Sequence, residues 1–265
     1  MMNGKEVNPM LHILLDTDRK ANTDRLLRAL CAETRHSILL VPEQFSHAAE
    51  RKLCLLGGNR ISRHAEVLSF SRLASRVFSK YGGAAETETD KGGKLLMMSL
   101  AVDQVRSRLK IYANCAYKPE FLLKLIDTLD EFRSFCVTAQ TLRSVSAKLS
   151  GVLALKTEEF ALLMESYDAV AANLGQNPET KLNRLLSALE ESDYAAGKSF
   201  WFDGFTDFNG VEQEIIAQLL SAEAEVTVAL LCDGTEHGGQ QFEATRQTAQ
   251  RLLPVSYTHL RAHET

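Results

Sequence analysis

No apolar stretch in this 265-residue chain reaches the length of a bilayer span. Its first residues, Met1 to Glu6, lack the apolar core of a secretion signal. Neither a membrane-spanning helix nor a signal peptide is expected in these residues. Cysteine is sparse: Cys31, Cys54, Cys115, Cys136 and Cys232 are odd in number, scattered and never spaced as C-x-x-C. That excludes zinc ribbons and dithiol redox motifs, leaves no metal site to assign, and suits a reducing compartment. Positive charge is not in excess either. Thirty Lys and Arg against 34 Asp and Glu give a net charge of -4, which excludes a polybasic coat but leaves room for a local basic strip.

What is present is organised around Ser199-Phe200-Trp201-Phe202-Asp203-Gly204-Phe205-Thr206-Asp207-Phe208. A short apolar run that ends in an acid and turns at a glycine reads as a buried strand of a parallel sheet. Open α/β sheets place ligands at that end, where nucleotide-hydrolysing folds carry the Walker B aspartate. Asp203 therefore calls for a phosphate loop elsewhere. Leu11 to Leu15 reads as the first strand, and the polar loop Asp16 to Thr23 leads into a helix capped by Asn22 or Thr23. That loop holds no glycine, and aspartates stand where phosphate would approach. A cradle of inward-pointing amides needs glycine and a terminal Lys-Ser/Thr pair, so the nucleotide chemistry is missing from the place its geometry would occupy.

Ser37 to Val41 is a second strand, closed by Pro42. Glu43 to Ser46 forms an exposed turn, and a helix from Ser46 to about Leu56 stops at Gly57-Gly58. Glu66 to Phe70 is a third strand, followed by a helix through Leu73, Val77 and Tyr81. Strands alternating with helices over short links predict a right-handed parallel α/β sheet. Arg60, Arg63, Arg72, Arg76 and Lys80 concentrate here with Glu66 as the sole acid, beside Ser69 and Ser71. Phosphate contacts and an ordinary solvated helix face are competing readings of this strip.

From Asp90 to about Glu191 apolar residues recur at three and four, which predicts an all-α insertion. One helix opens at Leu95, one runs from Phe121 to Leu129, and two span Leu155 to Leu174 and Leu182 to Leu189. Asp127, Asp130, Glu131, Glu158 and Glu159 read as solvated faces, and no carboxylate pair is committed to acid–base work. The sheet then resumes through Ile215 and Leu219 to a strand at Val226 to Leu231. Expected segments are an upstream extension at 1–9, an α/β domain at 10–88 and 198–254, and a helical insertion at 89–197. Residues 255–265 break the preceding pattern and read as a non-native tail resembling sequencing-adaptor read-through. His259 and His263, four apart within it, are the alternative metal-ligand reading. The chain then reads as the N-terminal piece of something longer.

Ile38 to Ser46, Val67 to Ala74 and Phe202 to Phe208 together resemble the AddB family, the B subunits of bacterial AddAB helicase–nucleases. The likeness spans roughly residues 10–254, and the Asp-Gly-Phe-Thr-Asp-Phe run is its most specific part. It implies a degenerate superfamily 1 helicase, P-loop NTPase-like α/β fold interrupted by the helical insertion. It implies an AddA-type partner, action in double-strand break repair by recombination, and single-stranded DNA contacts from Gln44, Ser69, Phe70, Ser71, Arg72 and Arg76. Asp203 would stand at the second helicase motif, with Gly204 where a catalytic glutamate belongs. Asp16 to Thr23 takes the place of the family's glycine-rich loop and keeps only Thr23. No catalytic residue and no cofactor are expected in this chain. The family's ATP and magnesium site is degenerate here, and its 4Fe-4S cysteines belong to a C-terminal region that none of the five cysteines represents. An active ATPase with an atypical loop and a non-binding scaffold remain the alternatives.

Overall fold

The computed structural model describes residues 11–83, 89–113 and 118–262, apart from the side chains of Asn59 and residues 255–262. Five strands are described: β1 (Leu11–Asp16), β2 (Ser37–Leu40), β3 (Ala65–Leu68), β4 (Ser199–Phe202) and β5 (Glu225–Leu231). The helices are α1 (Arg19–Ala32), α2 (Ser46–Gly57), α3 (Phe70–Tyr81), α4 (Lys91–Val105), α5 (Pro119–Ser134), α6 (Ala139–Ser146), α7 (Gly151–Asn173), α8 (Lys181–Glu190), α9 (Gly210–Ser221) and α10 (Glu243–Ala262). The segments expected at 1–9, Cys115 and the side chains of His259 and His263 lie outside the described residues. The chain divides into two compact units, Met1–Gly82 with Leu185–Thr265, and Gly83–Arg184, the division falling inside α8.

In the first unit the strands form one all-parallel sheet in the order β1-β5-β4-β2-β3. The three central strands are near-continuous apolar runs because helices cover both faces. Side chains alternate across the sheet. Leu39, Val41, Val67, Trp201 and Ala229 meet Leu26, Leu27 and Leu30 of α1 and Leu53 of α2 in one buried cluster. Ile38, Leu40, Phe200, Phe202, Val226 and Val228, out of phase with that set, are fully buried on the other side, where α9 packs on β5.

Two helix starts differ from the sequence expectation. Helix α1 begins at Arg19, capped by Asp18 rather than by Asn22 or Thr23. A carboxylate both accepts the free amides and complements the helix dipole, which a threonine hydroxyl does only in part. Helix α3 begins at Phe70, so Phe70 is helical rather than the end of a strand; the Ser69 hydroxyl accepts from the Arg72 amide and sets that boundary.

The second unit is helical. Met98, Ala101, Val102, Leu125, Leu129, Ala161, Leu163 and Val170 pack its core. The short helix α6 lies along α7, and Arg143 pairs with Glu158 at 3.2 Å and with Glu165. Glu159 corrects the reading of these acids as solvated. It is buried, and its carboxylate accepts the amides of Lys110 at 2.7 Å, Ile111 at 3.0 Å and Tyr112 at 3.1 Å. Three N–H donors compensate the loss of water and fix the loop after α4 onto α7. Asp130 likewise holds Lys94 at 2.7 Å.

Candidate functional site at the carboxyl edge of the sheet

Parallel strands aim their carboxyl ends at one edge of the sheet, where the loops after β1, β2, β3 and β4 meet. At the β1 end, Asp18 Oδ1 accepts the amides of Lys20 at 2.8 Å and Ala21 at 3.2 Å, while the Asp18 amide donates to Asp16 Oδ1 at 2.9 Å. The N-terminal amides that make a helix an anion seat are thus already joined to a carboxylate of the chain itself. One turn on, Asn22 is buried and its Nδ2 donates to the carbonyls of Leu14 (3.1 Å) and Leu230 (3.0 Å), tying β1 to β5. The Thr23 hydroxyl donates to the Asp203 carboxyl at 2.9 Å.

Asp203 follows β4, and its amide donates to the Leu40 carbonyl at 3.0 Å. Burial pushes its carboxyl above the usual aspartate range, against the opposing pull of the Thr23 hydrogen bond and the Arg19 charge. Gly204 turns the chain with φ of 83°, a left-handed conformation that glycine adopts without steric cost. The Arg19 guanidinium reaches toward the Gly204 carbonyl at 3.5 Å and lies 5.1 Å from the centre of the Phe45 ring. Arg19, Asn22, Asp203, Gly204, Phe205, Thr206, Ala229 and Leu231 leave a cavity of about 40 Å³. That is room for about one water molecule.

Past Asp203 the aromatic residues close the core. Phe205 packs against Phe70 and Phe208 with ring centres 5.7 and 4.9 Å apart, and Phe202 lies 5.8 Å from Phe208. Asp207 accepts from the Thr248 hydroxyl and pairs with Arg251 at 3.1 Å, fastening this turn to α10.

The β2 and β3 ends are built differently. Glu43, Gln44 and Phe45 form a 3-10 turn, and Glu43 accepts from the Ser69 hydroxyl at the start of α3. This bond joins the turn after β2 to the helix after β3. Gln44, Ser71, Arg72 and Arg76 are exposed, whereas Ser69 and Phe70 are buried, Ser69 in its cap and Phe70 in the aromatic cluster. Arg76 donates to Glu66 at 2.6 Å, so its charge is shared. Beside them a shallow cleft of about 220 Å³ is lined by Arg72, Arg76, Ile61, Ser62 and Cys54 among others. Sequence reasoning missed Asp18, Arg19 and Glu43. Two acids separated by one residue ahead of a helix were the available sign for Asp18; nothing local marks the other two, whose partners lie far along the chain.

No group of three or more His, Cys, Asp and Glu among the described residues is placed to hold a metal, and no described helix is long and apolar enough to cross a membrane. The fold is an open, parallel α/β sheet of the Rossmann or P-loop-like class. A family model described as "ADDB, N-terminal" matches residues 23–260. The chain belongs to the AddB family, matching its N-terminal region. Similar curated proteins are named as the B subunit of an ATP-dependent helicase/deoxyribonuclease. The one from Caldanaerobacter subterraneus subsp. tengcongensis is 32% identical over 226 residues, 84% of this chain and 20% of that protein. Its counterpart in Desulforudis audaxviator is 33% identical over 227 residues, 83% of this chain and 20% of that protein. The chain therefore spans about a fifth of the length of these relatives.

Proposed function

We propose that this chain is the non-hydrolysing, helicase-like N-terminal domain of an AddB-type subunit, and that it guides a DNA strand past the β2 and β3 ends of the sheet. The observation that carries the reading is the filled phosphate seat: Asp18 takes the α1 amides that a nucleotide phosphate would need. An incoming triphosphate would also meet the like charge of Asp16 and Asp18. The 40 Å³ cavity is far below the roughly 300 Å³ at which small-molecule pockets begin. Gly204 offers no carboxylate to orient an attacking water. An ATP–magnesium pair does not fit these residues.

The strand-guiding part rests on the β2–β3 side. Arg72, Gln44 and Ser71 are the groups that would bond backbone phosphates of a single strand, positioning it without reading bases. The Glu43–Ser69 bond holds the turn that carries Gln44 against the helix that carries Arg72. The AddA-type partner, the double-strand break repair it would serve and the cytoplasmic setting follow from the family and belong to this proposal. The division of labour between an α/β motor-like domain and a helical insertion belongs to it as well. A scaffold that binds no strand is the second reading, favoured by the pairing of Arg76 with Glu66 and the burial of Ser69 and Phe70.

Fluorescence anisotropy with a single-stranded oligonucleotide across a salt series separates the two. Arg72→Ala with Arg76→Ala is expected to weaken binding and to flatten the salt slope by about one unit for each phosphate that is no longer engaged. Unchanged affinity and slope would assign the strip to the scaffold reading. Magnesium-dependent binding of a non-hydrolysable ATP analogue that vanishes in Asp203→Ala would replace the non-hydrolysing reading with an ATPase.

A further inference from the structure

Polar side chains from α4, α5, α7 and α8 gather around one cavity inside the helical unit. Lys94 donates to Asp130 Oδ2 at 2.7 Å, and Arg133 Nη1 lies 3.8 Å from the other oxygen of Asp130. Arg133 is buried, and it also donates to the Pro178 carbonyl at 2.6 Å and to the Asp168 carboxylate. Arg184, buried as well, donates from Nη2 to the Gly83 carbonyl at 2.8 Å. Buried Met97, Tyr167 and Arg184 form the inner wall of the cavity, and exposed Asn177 and Glu179 its mouth. Its volume is about 210 Å³. That is several times the roughly 30 Å³ share of one water molecule and less than the roughly 300 Å³ at which drug-sized pockets begin. A small molecule fits; a whole nucleotide does not.

Most groups around the cavity are already engaged. The Thr89 hydroxyl donates to Gln176 Oε1 at 2.9 Å, and the Thr180 hydroxyl donates to Asn183. Asn177 Oδ1 accepts the Glu179 amide at 2.9 Å. Tyr167 is the exception. It is 2% exposed, it lines the cavity, and its hydroxyl makes no hydrogen bond to any described residue. Buried hydroxyls are ordinarily paired, because leaving water without a partner costs free energy. Burial pushes the Tyr167 hydroxyl up to about 12, so at neutral pH it keeps its proton and can donate. The Lys94 ammonium carries three N–H groups, of which Asp130 takes one. The unspent groups at the inner wall are therefore donors, and they call for an acceptor oxygen. Asp130 and Asp168 are matched there by Lys94 and Arg133, while Glu179 stands at the mouth in contact with water.

We propose that this cavity binds a small oxyanion, a phosphate or a short carboxylate, which accepts from the Tyr167 hydroxyl and the Lys94 ammonium. The occupant links α4 to α7. The site lies wholly within the helical unit, so it is independent of whether the β2–β3 side binds DNA.

Calorimetric titration of the 265-residue chain with inorganic phosphate and with acetate, at ionic strength matched with chloride, tests the site. At least one of the two anions should bind saturably, and comparing them shows which oxyanion the cavity takes. Tyr167→Phe should weaken that binding at least about tenfold, because it removes a hydrogen bond to a charged group. The same variant should leave the denaturation midpoint without either anion unchanged, since the deleted hydroxyl bonds nothing in the chain. Saturable binding of neither anion, or equal affinity in Tyr167→Phe, would overturn the proposal. A midpoint lowered by Tyr167→Phe without either anion would overturn it too, by showing that the hydroxyl is engaged within the fold.

Discussion

The two halves of the sheet's carboxyl edge are built from the same materials and reach opposite states. At the β1–β4 half, Asp18 accepts the first amides of α1, Thr23 donates to Asp203 and Arg19 reaches the Gly204 carbonyl, and the remaining space holds about a water molecule. At the β2–β3 half, Glu43 and Ser69 satisfy one another, Gln44, Ser71 and Arg72 stay exposed, and Arg72 lines a shallow cleft together with Arg76, Glu50 and Glu66. Sheet topology marks the whole edge as a ligand position, and both halves expose polar side chains, but at the first half the α1 amides and the Asp203 carboxyl are already engaged within the chain. Fold alone therefore locates a candidate site without saying whether it still works; the partners of each side chain decide that.

The aromatic cluster supports both halves, so removing it is the largest perturbation of the contrast. Phe202 is fully buried and packs against Phe70 and Phe208. Phe202→Ala is expected to cost about 3–5 kcal/mol in chemical denaturation. A cost below about 1 kcal/mol would mean that the cluster is not a shared foundation.

Opening the closed half is a smaller step. Asp18→Ala deletes the cap of α1 and is expected to cost about 0.5–2 kcal/mol, read from the thermal or denaturant midpoint. If the half is closed by more than this one carboxylate, the variant also gains no nucleotide affinity in calorimetry, because Gly204 and the small cavity are unchanged.

The smallest effect concerns Asp203. Its folded-state pKa is raised by burial, so the folded protein holds the proton more tightly than the unfolded chain does. This group's favourable contribution is complete below the ordinary aspartate pKa and is lost as pH rises through the folded value. Asp203→Asn keeps an oxygen to accept the Thr23 hydroxyl without the buried charge. It should be equal to or up to about 1 kcal/mol more stable than the parent at neutral pH. The difference should shrink on acidification, as thermal melts across pH would record. A loss of stability in Asp203→Asn at neutral pH would show that the charged form is the one the fold favours.

The strands were legible because a sheet covered on both faces requires apolar runs, and Ser37–Leu40, Ser199–Phe202 and Glu225–Leu231 supply them between clear turns. Caps were harder. Three polar residues near the start of α1 could each accept an amide, and only the backbone conformation selects Asp18. Helix α6 escaped notice because it buries one apolar residue, Leu142, and relies on Arg143 pairing with acids of α7. Glu159 is hidden for a related reason: the second of two adjacent glutamates gives no sign that three amides, nearly fifty residues earlier, are waiting for it. At the candidate site the residue types were visible, but their engagement was not. Ser69 and Phe70 look available in the sequence and are buried in the fold.

The left-handed backbone at Gly204 also bears on how such a domain changes over generations. A carboxylate there would sit on a residue held at φ of 83°, at a cost of about 1–2 kcal/mol before it touched any water molecule. On the non-hydrolysing reading proposed above, a hydrolytic site here would need a new path for the β4 turn, removal of Asp18 and a widened cavity, together. On that reading no single substitution restores the site, and the Gly204 turn acts as a ratchet that only several coordinated changes would release.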